Sequence, residues 1–308
     1  MNRYRKFVYK DEENGIVFSS TAKEGLTFEL VDGEEGEMVI RVVPVETANI
    51  YSNNYNNPPI PEGYKHIYGT VSNGFVIERC SDGSIFTWVP VGMLDDDGTL
   101  DGMYYIEKFG RRNFMKDVFS SNEIGYSFIC QVESVKKYGG FYISSCNISM
   151  NAEGKPQSVR GAVPWTNISF EEANRVAAEM EDTESVKSHL IYGAEYDSTI
   201  SWFIKSNARS FEEMTKDSTK LGNYWNAKDA PREITGTGSN EKWCTNNIFD
   251  LPGNVDEWTQ ERSGPTNRVV RGGSYISYGM NYPAAYRTSS KTSNQDVGTG
   301  FRVALYIE

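Results

Sequence analysis

"NNIFDLPGNVDEWT", residues 246–259, is the stretch on which the reading of the fold turns. Gly253 permits a tight backbone turn, Asn254 can cap or bridge neighbouring strands, and Trp258 is large enough to anchor the loop in a core. Two later stretches belong with it. In "RVVRGGSY" (268–275) the paired glycines let another segment approach a strand closely, and in "GFRVA" (300–304) a buried Phe301 would lie beside an Arg302 paired to a carboxylate. Each of these residues can also be plain scaffold.

Upstream, "WTNISFEEANRVAAEM" predicts a helix. Ser169 and Glu172 have the S-x-x-E spacing that satisfies the first free backbone donors, and Ala173, Val176, Ala177 and Met180 recur at helical spacing as a core stripe. "EYDSTISWFIKS" predicts a second, shorter helix through Tyr196, Ile200, Phe203 and Ile204. Residues 205 to 249 read as a loop-dominated body with isolated aromatics, a length that usually carries function or is tied down. "GFVIERCSDGSIFTWVPVG" reads as two alternating strands around a turn at "SDG". Before it, "IVFSS", "LTFELV" and "MVIRVVPV" flank the acidic turn "DGEEGE" and predict a small antiparallel β unit. The Asn/Pro-rich "NIYSNNYNNPPIPEG" then reads as a linker. The unit at 1–58 would hold the larger domain or a neighbouring subunit, and an oligomer formed through it is one expectation.

Composition narrows the partners. A formal net charge of −11 over 308 residues repels phosphate backbones and anionic lipid, so nucleic acid is not expected. The N-terminus "MNRYRKFVYKDEENG" lacks a signal-peptide apolar run, and no stretch approaches a membrane span. The expectation is a soluble chain without membrane insertion. A place on a virion, a phage tail or a cell surface would need a non-classical route. Nineteen tyrosines and fifteen phenylalanines with a mean hydropathy of −0.54 suit large, loop-rich packing. Cys80, Cys130, Cys146 and Cys244 form no CxxC and read as buried free thiols.

Taken in order, the three late stretches resemble the formylglycine-generating-enzyme (sulfatase-modifying factor) family. "VPWTNISFEEA" and "LIYGAEYDS" precede them, and the likeness runs from about residue 65 to the end. The resemblance implies an α+β, C-type-lectin-like domain with little regular structure at 59–308, preceded by the small β unit. It also implies where chemistry would lie. Family members use two cysteines after the "RGGS" motif to bind copper and activate oxygen, and those positions fall here at Ser277 and Tyr282, with no cysteine after Cys244. Neither hydroxyl replaces the thiolate that Cu(I) requires, so no copper and no oxidase chemistry are expected. Related iron enzymes need a histidine set, whereas this chain has only His66 and His189, the latter read as a core or capping residue.

The family commonly holds calcium at the "GNVxEW" loop. Asp250 and Glu257, with the carbonyls of Gly253 and Val255, would supply hard oxygen donors for a structural ion. The alternative is a loop whose carboxylates cap amides or pair with Arg262 or Arg271. Without the copper cysteines, the surface after "RGGS" reads as a binding surface. Tyr275, Tyr278, Tyr282 and Tyr286, interspersed with Ser277, Met280, Asn281 and Thr288, have the composition of an antibody-like contact surface, and Ser290, Thr292 and Asn294 extend it. Segment 275–299, nine residues from the end, also resembles the variable cassette of proteins diversified by retroelements that mutate adenines. The expectation is a non-catalytic ligand-binding protein whose partner is a cell-surface protein or glycan. The alternative is a family enzyme of other chemistry, using Asp250, Glu257 or Asp296.

Overall fold

The computed structural model describes the backbone of strands at 4–11, 15–23, 26–32 and 38–44, and in full residues 58–91, 109–115, 123 and 125–308. Backbone contacts divide the chain into Met1–Asn57 and Pro58–Glu308. In the first unit β1 (Tyr4–Asp11) pairs antiparallel with β2 (Gly15–Lys23), and β3 (Leu26–Asp32) with β4 (Met38–Pro44). The three predicted runs lie in β2, β3 and β4, whose β-branched and aromatic content suits a pleated surface. Most of the expected linker, 49–57, lies outside the described residues, as does the turn at 33–37.

The second unit runs through β5 (Tyr64–Tyr68), β6 (Val76–Arg79), β7 (Ile85–Pro90), α1 (Tyr126–Tyr138) and β8 (Gly140–Ser144). The short β9 (Ser149–Met150) and β10 (Pro156–Gln157) follow, then α2 (Phe170–Glu179), β11 (Val186–Leu190), α3 (Gly193–Lys205) and α4 (Phe211–Thr215). The C-terminal part contains β12 (Cys244–Thr245), β13 (Ile248–Phe249), β14 (Asp256–Arg262), β15 (Asn267–Arg271), β16 (Arg287–Lys291), β17 (Thr299–Phe301) and β18 (Val303–Ile307). One six-stranded sheet has the order β11-β18-β8-β7-β6-β5, and a four-stranded sheet the order β16-β15-β14-β17. The predicted hairpin is β6 and β7, Val76 opposite Thr87. The expected alternation is absent, however: every residue of β7 is buried, as is every residue of β18, because both strands are covered on their two faces.

The helices differ from their sequence signatures in two respects. Ser169 Oγ accepts the Glu172 amide at 3.2 Å, but the Glu172 carboxylate pairs with Arg175 instead of reaching back, so only half of the expected capping arrangement forms. α3 is longer than α2 and buried from Gly193 to Phe203, so it is a central helix and not a shorter amphipathic one. Its first amides are met by the Glu195 and Glu123 carboxylates. The five-residue α4 inside the loop body was not anticipated, although Ser210 and Glu213 carry the S-x-x-E spacing and close both halves of the capping box. The thiols are a correction too. All four are free, but only Cys146 is buried; Cys130 and Cys244 are half-buried and Cys80 is exposed. Among the described residues no helix is long and apolar enough to cross a membrane.

Candidate binding surface

The three motifs become three adjacent strands. β14 pairs parallel with β17, Trp258 opposite Phe301, and antiparallel with β15, Trp258 opposite Val270. Trp258 and Phe301 are fully buried, and the Trp258 indole donates to Ile168 O at 3.0 Å, which ties the sheet to the segment entering α2. Glu257 is paired with Arg302, whose Nε and Nη2 reach Oε1 at 3.0 and 2.9 Å. The remaining Arg302 donors meet Ser144 O and Phe249 O, joining the two sheets. Arg271 is not the ion-pair partner of Glu257. Arg271 serves Asp197 instead.

The turn before β14 is held from the other side. Gly253 has φ 76°, and an added Cβ would lie 2.8 Å from Asn223 N, so the turn and the close approach both require glycine. Asn254, also left-handed at φ 64°, accepts the Thr235 amide at 3.0 Å and donates to Thr235 O at 3.0 Å. It bridges the long loop to the sheet. Asp250 Oδ2 accepts the Gly238 amide at 2.7 Å, and burial pushes its carboxyl up to about 7. One oxygen of each carboxylate, Asp250 Oδ1 and Glu257 Oε2, is buried without a hydrogen-bond donor among the described residues. No three His, Cys, Asp or Glu side chains of the described residues are grouped to hold a metal, so backbone carbonyls of the turn would have to complete any site. Two unsatisfied carboxylate oxygens beside a turn fit a hard cation by donor type.

From β15 to β16 the chain makes an excursion, 272–286, whose ends are Arg271 and Arg287, opposite each other in register. Both guanidiniums are buried and both meet the Asp197 carboxylate of α3; Arg287 also meets Glu261 at 3.0 Å. A buried carboxylate pair thus clamps the base of the loop. Higher up, Tyr224 Oη donates to Gly272 O at 2.6 Å, while Ser218 Oγ accepts the Ala284 amide and Trp225 N donates to Ser277 O at 2.9 Å. Asn226 Oδ1 accepts the Gly279 amide. The loop backbone is therefore pinned along its length.

Its side chains are not. Ile276, Tyr278, Met280 and Tyr282 are 53, 45, 59 and 38 % exposed, and Asn281 is exposed beside them. Tyr275, Ser277 and Tyr286 are half-buried; Tyr286 meets the Tyr282 ring edge-on at 5.2 Å. Ser277 Oγ lies 3.2 Å from Ser274 Oγ. Trp225, 40 % exposed, joins this face through its bond to Ser277, and Arg232 stacks on its ring at 5.2 Å. Sequence reasoning passed over Trp225 and Ile276, since an isolated aromatic in a polar loop carries no periodic signal. The other expected contacts lie elsewhere. Thr288 and Ser290 sit on edge strand β16, and Thr292 and Asn294 in the turn after it, where Thr292 bonds Thr266 and Phe170.

Asp250 and Glu257 are fully buried and cannot touch a substrate, whereas Asp296 is exposed and accepts the Gly298 amide. His189 is a core residue bonded to Glu195 at 2.8 Å. His66 is exposed and stacks on Phe75 at 4.1 Å.

A family model, the sulfatase-modifying factor enzyme 1-like domain, matches residues 112–307, which take in the four-stranded sheet, the clamped loop and strands β8, β11 and β18 of the larger sheet. The chain belongs to this family. Its α+β, C-type-lectin-like architecture is that of the sulfatase-modifying factor domain. No curated protein sequence matches it. Among solved structures, PvdO from Pseudomonas aeruginosa is similar at 13 % identity over 75 % of this chain and 97 % of that one, with a TM-score of 0.46. Treponema denticola variable protein 1 is similar at 12 % identity over 78 % and 98 %, with a TM-score of 0.40. The Major Tropism Determinant U1 variant is similar at 12 % identity over 73 % and 64 %, with a TM-score of 0.37.

Proposed function

We infer that this chain is a non-catalytic recognition protein, and that the clamped loop 272–286 with Trp225 is its contact surface. The observation that carries this reading is a contrast within one segment. The backbone is held by bonds to 218–226 and by Asp197, yet Ile276, Tyr278, Met280 and Tyr282 project into solvent. A rigid backbone with exposed aromatic and thioether groups lowers the ordering cost of binding and supplies contact area. Ligand identity would then follow from the loop side chains, and the partner class is a surface protein or glycan. Thr288, Ser290, Thr292 and Asn294 would contribute at its margin only.

The test is a protein and glycan array with the whole chain beside Tyr278→Ala/Tyr282→Ala. The double variant is expected to lose the captured ligand while its Tm stays within a few degrees, because both side chains are exposed and neither belongs to a buried core cluster. Equal capture of every protein and glycan on the array by the two proteins refutes the site. The gene supplies a second check: a nearby template repeat differing from codons 275–299 only at adenines would identify a diversified receptor. The competing enzymatic reading is confined to the exposed Asp296 and to Asp256, whose carboxyl burial pushes up to about 7. Turnover that Asp296→Asn abolishes would favour it.

A further inference from the structure

A second concave site lies in the same unit and shares no residue with the clamped loop. It is a cleft of about 660 Å³, within the range of small-molecule sites. Its walls are the β6–β7 turn, the β9–β10 turn and the outer side of α2, with Val176 and Met180 on its apolar side. Trp165 lines it as well, half-buried and packed on Phe301 at 6.2 Å, so the indole is held in place.

The charged groups of the lining balance, with Arg79, Lys155 and Arg175 against Asp82, Glu153 and Glu179. The two arginines are engaged. Arg79 donates to Asp82, Glu181 and Met180 O, and Arg175 to Glu172 and Glu179. Neither is free to grip a phosphate or carboxylate, which argues against an anionic ligand. Asn151 Oδ1 accepts the Glu153 and Lys155 amides at 3.0 and 2.8 Å, and this fixes its NH2 group as the free end. Among the described residues that NH2 group, the Lys155 ammonium and the Glu153 carboxylate meet no side-chain partner. The cleft therefore offers free donors, a free acceptor, an aromatic wall and no net charge.

We propose that this cleft is a binding site for a neutral oligosaccharide, with Trp165 packing on the apolar face of a sugar ring while Asn151, Glu153 and Lys155 bond its hydroxyls. Hydroxyls act as donor and acceptor at once, which matches a rim that presents both. The aliphatic C–H face of a pyranose matches the half-buried indole.

Isothermal titration of the whole chain with maltotriose, cellotriose and triacetylchitotriose, and separately with inorganic phosphate, tests this. At least one neutral trisaccharide is expected to bind saturably. Its affinity should fall about tenfold or more, roughly 1.4 kcal/mol, in Trp165→Ala and in Glu153→Ala/Lys155→Ala. The second variant changes only exposed, unpartnered side chains, so it keeps the test valid if the first fails to fold. Tyr278→Ala/Tyr282→Ala should bind the sugar unchanged, which separates this site from the recognition loop. Failure of every trisaccharide to saturate by about 10 mM, binding that survives both cleft variants, or heat from phosphate alone would overturn the proposal.

Discussion

Arg302 has no solvent contact, and its donors reach a carboxylate and two carbonyls from separate parts of the chain. Removing it leaves Glu257 buried with only Asn147 as donor, at 2.7 Å. Breaking a buried pair in this way costs about 3–5 kcal/mol because the remaining charge is uncompensated. Arg302→Ala is therefore expected to lower the urea midpoint by that equivalent or to prevent folding. Glu257→Gln should be milder, since an amide oxygen can still accept from Arg302; equal losses in the two variants would contradict this account. The "GFR" motif suggested a paired arginine, but its partner among the carboxylates could not be read, because side chains 45 positions apart meet only when β14 and β17 pair in parallel.

The excursion from β15 to β16 shows the same limit in a larger unit. Its glycines were legible as sites of close approach, and the approach is real. Gly273 has φ 72°, and an added Cβ would lie 2.7 Å from the Tyr224 ring and 2.8 Å from Tyr282 O. Gly273→Ala is expected to cost more than the roughly 1–2 kcal/mol of a left-handed residue alone, because a rigid ring and a carbonyl must also move. A lowered Tm together with altered proteolysis between 272 and 286 would show it; a Tm equal to the parent would refute the packing. The clamp by Asp197 was not legible. "LIYGAEYDS" marks a helix, and nothing in its spacing says that one of its acids meets two arginines of another sheet.

Burial of acids gives the second unit a common pH response. Glu123 is pushed up to about 8 by burial, with the Glu261 charge adding to it, and Asp250 to about 7 by burial. Their ordinary values are 4.5 and 3.8, so the folded protein binds these protons more tightly than the unfolded chain. The stability they contribute is complete below about pH 4 and is lost as pH rises through about 8. Asp256, half-buried, acts in the same sense with more solvent screening. The Tm is expected to fall between pH 5.5 and pH 8, measured with chelator present; a rise over that window would contradict the burial of these groups. Calcium held by the Asp250–Glu257 turn would work against this fall. Added calcium should then raise the Tm at pH 8, and Asp250→Asn should lose that rise. An unchanged Tm would mean that the turn stands without an ion.

Local sequence determined what local physics controls. The β6–β7 hairpin, the core stripe and N-cap of α2, and the glycine- and asparagine-dependent turn at 253–254 are set by backbone sterics and by side chains within a few positions, so they are legible in the chain. The order of three motifs was enough for the family and its α+β, C-type-lectin-like domain. Tertiary structure alone decided which acid meets Arg302, that Asp197 closes the loop, that Trp225 bonds Ser277 and that Thr288 and Ser290 lie on β16. These outcomes depend on parallel pairing of distant strands and on burial, and neither leaves a period in the sequence.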